Sequence, residues 1–249
     1  MLTVSRNYWE LHRKFAFFFT WLTLLPLLVI SLNKAYVLII LLLSVTFSLP
    51  HGAFDLVEAV TRYDGMINRK FFGFIIRYIG LIFVFLVLWQ LFPLCALVVM
   101  LIVSGLHFAQ EDHQLTNDRL GLLCHFAQII CYFILLTIFH KPRLSQLFGM
   151  LVNMNPQNIY NFIELYHNVL IGIFSILISF VLIYSIKNFA NMIEVGLLCT
   201  LFILLPPLLS FSVYFAIWHS PRHIMKLAQA QAIGMKQIML AIFTAMLTV

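Results

Sequence analysis

Long apolar runs separated by short polar breaks dominate the chain, and the spacing of the breaks matches the thickness of a bilayer. A membrane-crossing helix takes about 20 apolar residues. Runs of roughly that character occur at Phe15–Leu32, Ala35–Val57, Phe71–Phe92, Leu94–Phe108, Gly121–Phe139 and Tyr166–Ile186. Leu144–Leu165 is mixed, with Asn153, Asn155, Pro156 and Asn158, and reads as a loop carrying an interfacial helix. Phe189–Trp218 is a long apolar stretch interrupted by Pro206-Pro207, which either kink one helix or separate two. Ile238–Val249 is too short to cross. The pattern predicts an all-α, polytopic transmembrane helical bundle with about seven to eight complete spans. With no internal repeat and no Gly/Ser-rich linker, residues 1–249 read as a single integral membrane domain.

Composition agrees. Hydrophobic residues make up 63% of the chain and charged residues 10%, against about 25% charged in a soluble domain. Arg13 and Lys14 before the first apolar run give it the look of a signal peptide. It lacks a small-x-small cleavage site and further spans follow, so it reads as the first transmembrane helix. The net charge of +6 does not point to nucleic acid, because the basic residues sit in short loops between apolar runs. Charge also arbitrates at the proline pair. With the N-terminus in the cytoplasm and the stretch split at Pro206-Pro207, Arg6, Arg13, Lys14, Arg62, Arg69, Lys70, Arg119, Lys187, Arg222, Lys226 and Lys236 all fall inside. Only Lys34, Lys141 and Arg143 fall outside, and Arg77 lies within a span. A single kinked helix would move the last three of the inside group to the other face and erase the bias, so the split is favoured. Cys95, Cys124, Cys131 and Cys199 lie in apolar runs without a CxxC pair and read as small hydrophobes with free thiols.

Chemistry enters through four of the nine histidines. His51 follows an apolar run in Leu49-Pro50-His51-Gly52-Ala53-Phe54-Asp55, and His107 ends another in His107-Phe108-Ala109-Gln110-Glu111-Asp112. His219 and His223 stand four apart in Trp218-His219-Ser220-Pro221-Arg222-His223, on one helix face. Ionisable groups at membrane depth are costly and by default functional. Asp55 follows His51 by four residues, Glu111 follows His107 by four, and Asp112 comes one later. Ligating imidazoles usually donate their second N–H to such a carboxylate. Three helices each offering histidine, with acids at hand, is how a bundle builds a metal site. Neutral imidazoles suit zinc, copper, iron and nickel alike, so the residues do not choose the metal. Scarcity of water in the bilayer argues against hydrolysis and favours chemistry on dioxygen. His12, His140 and His167 fall near span ends and read as interfacial, His113 reads as a loop residue, and His125 has no partner at helical spacing.

The Leu49–Asp55 segment, His107-Phe108 with Glu111-Asp112, and Trp218–His223 resemble the three signature segments of the Brp/Blh family of membrane β-carotene 15,15′-dioxygenases. Ala109 stands where that pattern has a glycine. The resemblance implies a non-haem Fe(II) oxygenase of the inner (cell) membrane, with His51, His107, His219 and His223 as both catalytic residues and iron ligands. Asp55, Glu111 and Asp112 would then orient the ligands. It further implies that β-carotene and dioxygen are the substrates, that two molecules of all-trans-retinal are the product, and that an opsin-type protein is the functional partner. No nucleic acid is implied.

On the residues alone, other readings stay open. In a di-iron membrane carotenoid or lipid oxygenase, Asp55, Glu111 and Asp112 would be direct ligands to a second iron, although the HxxHH boxes of that class are missing. A haem carrier with paired axial histidines fits poorly, since two imidazoles on one helix face cannot bracket a haem. A transporter with an intramembrane proton or metal relay is the remaining alternative. The expected outcome of mutagenesis is that His51→Ala, His107→Ala, His219→Ala and His223→Ala each abolish turnover while His12→Ala and His167→Ala do not. Full activity in any of the first four, in a retinal-formation assay, removes that residue from the ligand set.

Overall fold

The computed structural model describes residues 2–24, 38, 42, 69–112, 118–186 and 188–230, and every regular element among them is helical. In chain order these are α1 (Leu2–Leu24), α2 (Arg69–Leu91), α3 (Pro93–Asp112), α4 (Arg119–Phe139), α5 (Lys141–Val152), α6 (Pro156–Leu165), α7 (His167–Ser185), α8 (Phe189–Leu204) and α9 (Pro207–Tyr214). A π-helical turn (Phe215–His219) follows and runs on into α10 (Ser220–Ala230). Most of the expected second span and the final apolar run lie outside the described residues.

Among the described residues, four helices are long and apolar enough to cross a membrane: α2, α3, α4 and α7. Seven to eight spans were expected, and the end of the first, most of the second and the final apolar run fall outside the described residues. α1 begins at Leu2 rather than Phe15, so its first half carries Arg6, Glu10, His12, Arg13 and Lys14. α8 has only 16 residues, and the helix after it is divided into three short segments. The mixed stretch Leu144–Leu165 is two short helices, not a loop with one. Asn153 turns the chain between them with left-handed φ 53° and ψ 44°, and Asn155 caps α6 by accepting from the Gln157 N–H at 2.9 Å, with Pro156 in the first turn. A Cβ on Gly149 would stand 2.9 Å from the Met154 carbonyl oxygen, so only glycine allows the turn to close this tightly. Lys141 Nζ lies 2.6 Å from Glu164 Oε2 across the pair, and this hydrogen bond holds the Glu164 carboxyl below its ordinary range.

The proline pair is a turn between helices. Leu205 (φ −94°, ψ 142°) and Pro206 (φ −55°, ψ 154°) are extended, and Pro206-Pro207 withdraw two amide donors from the ladder. In one continuous helix Glu194 and Arg222, 28 residues apart, would stand about 42 Å from each other. Arg222 Nη2 instead donates to Glu194 Oε1 at 2.6 Å, so the chain reverses and α10 returns alongside α8. The two-helix alternative is the one the structure adopts.

Lipid is as apolar as leucine, so packing and internal hydrogen bonds rather than burial hold such helices together. α4 sits centrally against α3, α5, α7 and α8, and half of its most apolar stretch is buried, whereas none of α2's is. Tyr132 on α4 stacks on Phe202 on α8, ring centres 4.8 Å apart and planes 11° apart. Ala16, Phe108, Leu198, Leu201, Val213, Tyr214 and Trp218 join them in one core drawn from α1, α3, α8, α9 and the π turn. Ala109 is fully buried, so the methyl group is accommodated where the family pattern has glycine. Trp218 is also fully buried, a core residue rather than an interfacial anchor. Its Nε1–H donates to Thr20 Oγ1 of α1 at 2.9 Å, and that hydroxyl donates to the Ala16 carbonyl at 2.7 Å.

The π turn follows from Pro221. Proline has no N–H to give the carbonyl four residues back, and its ring crowds that carbonyl. The residue four back is Ile217. The ladder slips instead, and the Ser220 N–H bonds the Phe215 carbonyl five residues back. The Ile217 carbonyl accepts from His12 Nε2 of α1 at 3.0 Å. His12 therefore lies mid-helix in α1, bonded to released backbone. Replacing Thr20 with valine keeps the shape and strands the Trp218 indole N–H. The expected loss is about 1–3 kcal/mol, read as a lower melting temperature of the detergent-solubilised protein; an unchanged melting temperature would show that the indole finds another acceptor.

Candidate metal centre

Three of the four histidines singled out in the sequence come together. His107 projects from α3, which continues as helix through Asp112 instead of ending at Phe108. His219 closes the π turn and His223 stands one turn along α10. The His107 and His219 ring centres are 5.4 Å apart, and those of His107 and His223 6.5 Å apart. His219 is 0% and His223 5% exposed, whereas His107 is exposed. The Phe108 ring meets His219 edge-on at 4.5 Å, and Phe215 lies 5.2 Å from it on another side. His51 and Asp55 lie outside the described residues.

The acids are present but pair across helices. The sequence spacing set Glu111 behind His107 on its own helix. In the structure Glu111 Oε2 lies 3.1 Å from His223 Nδ1, and Asp112 Oδ1 lies 3.4 Å from His219 Nδ1. The reason is that α10 packs against α3 at this level, which places the last turn of α3 opposite the histidine-bearing turn of α10. Lys226, one turn beyond His223, lies 4.0 Å from Glu111 Oε2 and donates to the Gln110 carbonyl. Both buried imidazoles thus present Nδ1 to a carboxylate, so that a metal would be met by Nε2. That is the arrangement in which metal-bound imidazoles are held.

Whether these residues suit a metal is a geometric question. An imidazole nitrogen binds at about 2.0–2.1 Å, so two rings sharing one ion have centres no more than about 6.5 Å apart. The 5.4 Å pair lies within that limit and the 6.5 Å pair at its edge. Among the described residues no three His, Cys, Asp or Glu side chains form a group that could hold a metal ion. The donor chemistry is that of an imidazole-bound ion, and His51, the fourth candidate, lies outside the described residues.

His125, on α4, bonds its Nδ1 to the Gly121 carbonyl at 2.8 Å. Cys124 and Cys131 are buried and all four cysteines are free thiols, in keeping with their reading as small hydrophobes. The sequence reading passed over Glu194. It is 6% exposed in the apolar helix α8, and a carboxylate inside such a run is itself a functional signal.

A helical chain with four apolar crossing-length helices and buried imidazoles backed by carboxylates defines a membrane protein with a histidine-rich centre. The particular family follows from comparison. The chain matches the model of the beta-carotene 15,15′-dioxygenase family over residues 42–248 and belongs to that family. The match takes in His51, His107, His219 and His223 and begins after α1. A curated relative, the beta-carotene 15,15′-dioxygenase of uncultured marine bacterium 66A03, is 26% identical over 199 residues. That alignment covers 74% of this chain and 66% of the relative, just under two thirds of its length. No solved structure matches.

Proposed function

We propose that this protein is an iron-dependent dioxygenase of the inner membrane that cleaves β-carotene at its central 15,15′ double bond. The observation that carries the reading is the convergence of His107, His219 and His223, two of them backed by carboxylates, within a chain of this family. His51, His107, His219 and His223 are the proposed ligands to one Fe(II). Glu111 and Asp112 orient His223 and His219, and Asp55 is assigned the same role for His51. Iron held there would supply activation of dioxygen, one oxygen atom going to each of the two carbons of the broken double bond, so that one β-carotene and one O₂ give two retinals. The chain's own contribution is positioning. A long polyene has no polar handle at its centre, so the apolar walls must fix it along its length to bring the middle bond to the site. Phe108 and Phe215, packed against His219, are the aromatic part of such a wall. A cytoplasmic N-terminus, one catalytic domain over residues 1–249 and delivery of retinal to an opsin-type protein complete the proposal.

A single iron is favoured over two because Glu111 and Asp112, the acids a second iron would need, already face imidazole nitrogens. Expression in a β-carotene-producing bacterium should bleach the orange cells, with retinal appearing on chromatography in proportion to iron supply and only with His51 intact. Purified protein should carry one iron per chain. Unchanged β-carotene in cells holding folded protein would overturn the substrate, and two irons per chain would overturn the mononuclear centre.

A further inference from the structure

Behind His219 lies a chain of contacts that no role has yet been given. Glu194 on α8 accepts from Arg222 Nη2 at 2.6 Å and stands 3.6 Å from Arg13 Nε of α1. Arg222, 4% exposed, extends its other terminal nitrogen to 3.6 Å from Asp112 Oδ2. Its guanidinium lies over the Trp218 ring at 4.9 Å and the Trp9 ring at 5.8 Å. The same Oδ2 accepts from the Tyr214 hydroxyl at 2.5 Å, while Oδ1 is the oxygen that faces His219 Nδ1. A cavity of about 270 Å³ borders Arg13, Asp112, Gln128, Asn191, Glu194 and Arg222, large enough for water.

These contacts divide the labour of one carboxylate. A carboxylate that met only an imidazole could swing about its Cβ–Cγ bond and exchange oxygens. In Asp112 the Tyr214 hydroxyl donates to Oδ2 and the Arg222 guanidinium stands 3.6 Å from the same oxygen, which holds Oδ1 toward the histidine. The guanidinium fork is in turn fixed by Glu194 and by two indole faces. We infer that Tyr214 and Arg222, anchored by Glu194, are positioning residues for the metal centre. They hold Asp112, and Asp112 holds the His219 ring by its Nδ1. The inference rests on the metal-centre reading proposed above and extends it one shell outward, to side chains from α8, α9 and α10.

The test uses the full chain in detergent, titrated with Fe(II) against a competing chelator, with kcat and KM for β-carotene measured in parallel. Tyr214→Phe keeps the ring that packs on Phe108, Tyr132 and Phe202 and removes one O–H. It should weaken Fe(II) binding about 10- to 100-fold and lower kcat while leaving KM within about twofold. Arg222→Lys, which keeps the charge and loses the fork, should do the same to a similar or greater extent. Because both residues act through Asp112, adding Tyr214→Phe to Asp112→Asn should cause no further loss of affinity. Unchanged Fe(II) affinity in Tyr214→Phe, or full additivity with Asp112→Asn, overturns the inference. His219→Ala separates the two levels. If it loses Fe(II) while Tyr214→Phe does not, only the positioning inference falls; if it retains Fe(II), the ligand assignment itself falls.

Discussion

Charged side chains survive inside an apolar bundle only when each finds an opposite partner, and the pairing of Glu194 with Arg222 organises this one. Glu194 sits in α8 and Arg222 in α10, so satisfying them requires the chain to turn back on itself at Leu205 and Pro206. That return brings the π turn and α10 against α3, which puts His219 and His223 beside His107. The same guanidinium meets Asp112, so the groups that close the helical hairpin also touch the acid behind a histidine. Removing either partner would take the 2.6 Å contact from the other and leave it only a 3.6 Å one, Glu194 to Arg13 or Arg222 to Asp112. Fold and site are joined here by one ion pair.

Much of this was legible from the residues. Apolar runs placed α2, α4 and α7 within a few residues of their bounds, because continuous apolar length is a one-dimensional signal. The charge bias favoured a turn at Pro206-Pro207, and the structure makes one. The i, i+4 spacing put His219 and His223 together, and acids were expected near the histidines. Which acid serves which histidine was not legible. Helical spacing can report only neighbours on one helix, whereas Glu111 and Asp112 face across to α10, a fact of interhelical packing.

The π turn is an intermediate case. Pro221 announces that the Ile217 carbonyl loses its donor, and that is local information. The partner supplied, His12, comes from 205 residues away, and nothing in its own surroundings marks it. The polar start of α1 kept the residues before Phe15 out of a hydropathy reading for the same reason that makes them useful: Trp9, His12 and Arg13, with Thr20 further along, are spent on contacts with α8, α10 and the π turn. α1 precedes the family match at residue 42, yet it closes the core around Trp218.

Trp218, His219 and Ser220 are consecutive and each is fully buried, so at that level the backbone is enclosed on every side. His107, by contrast, is exposed. Among the described residues the cluster is therefore closed behind His219 and open beside His107. A molecule that reaches these imidazoles would come to them from the His107 side.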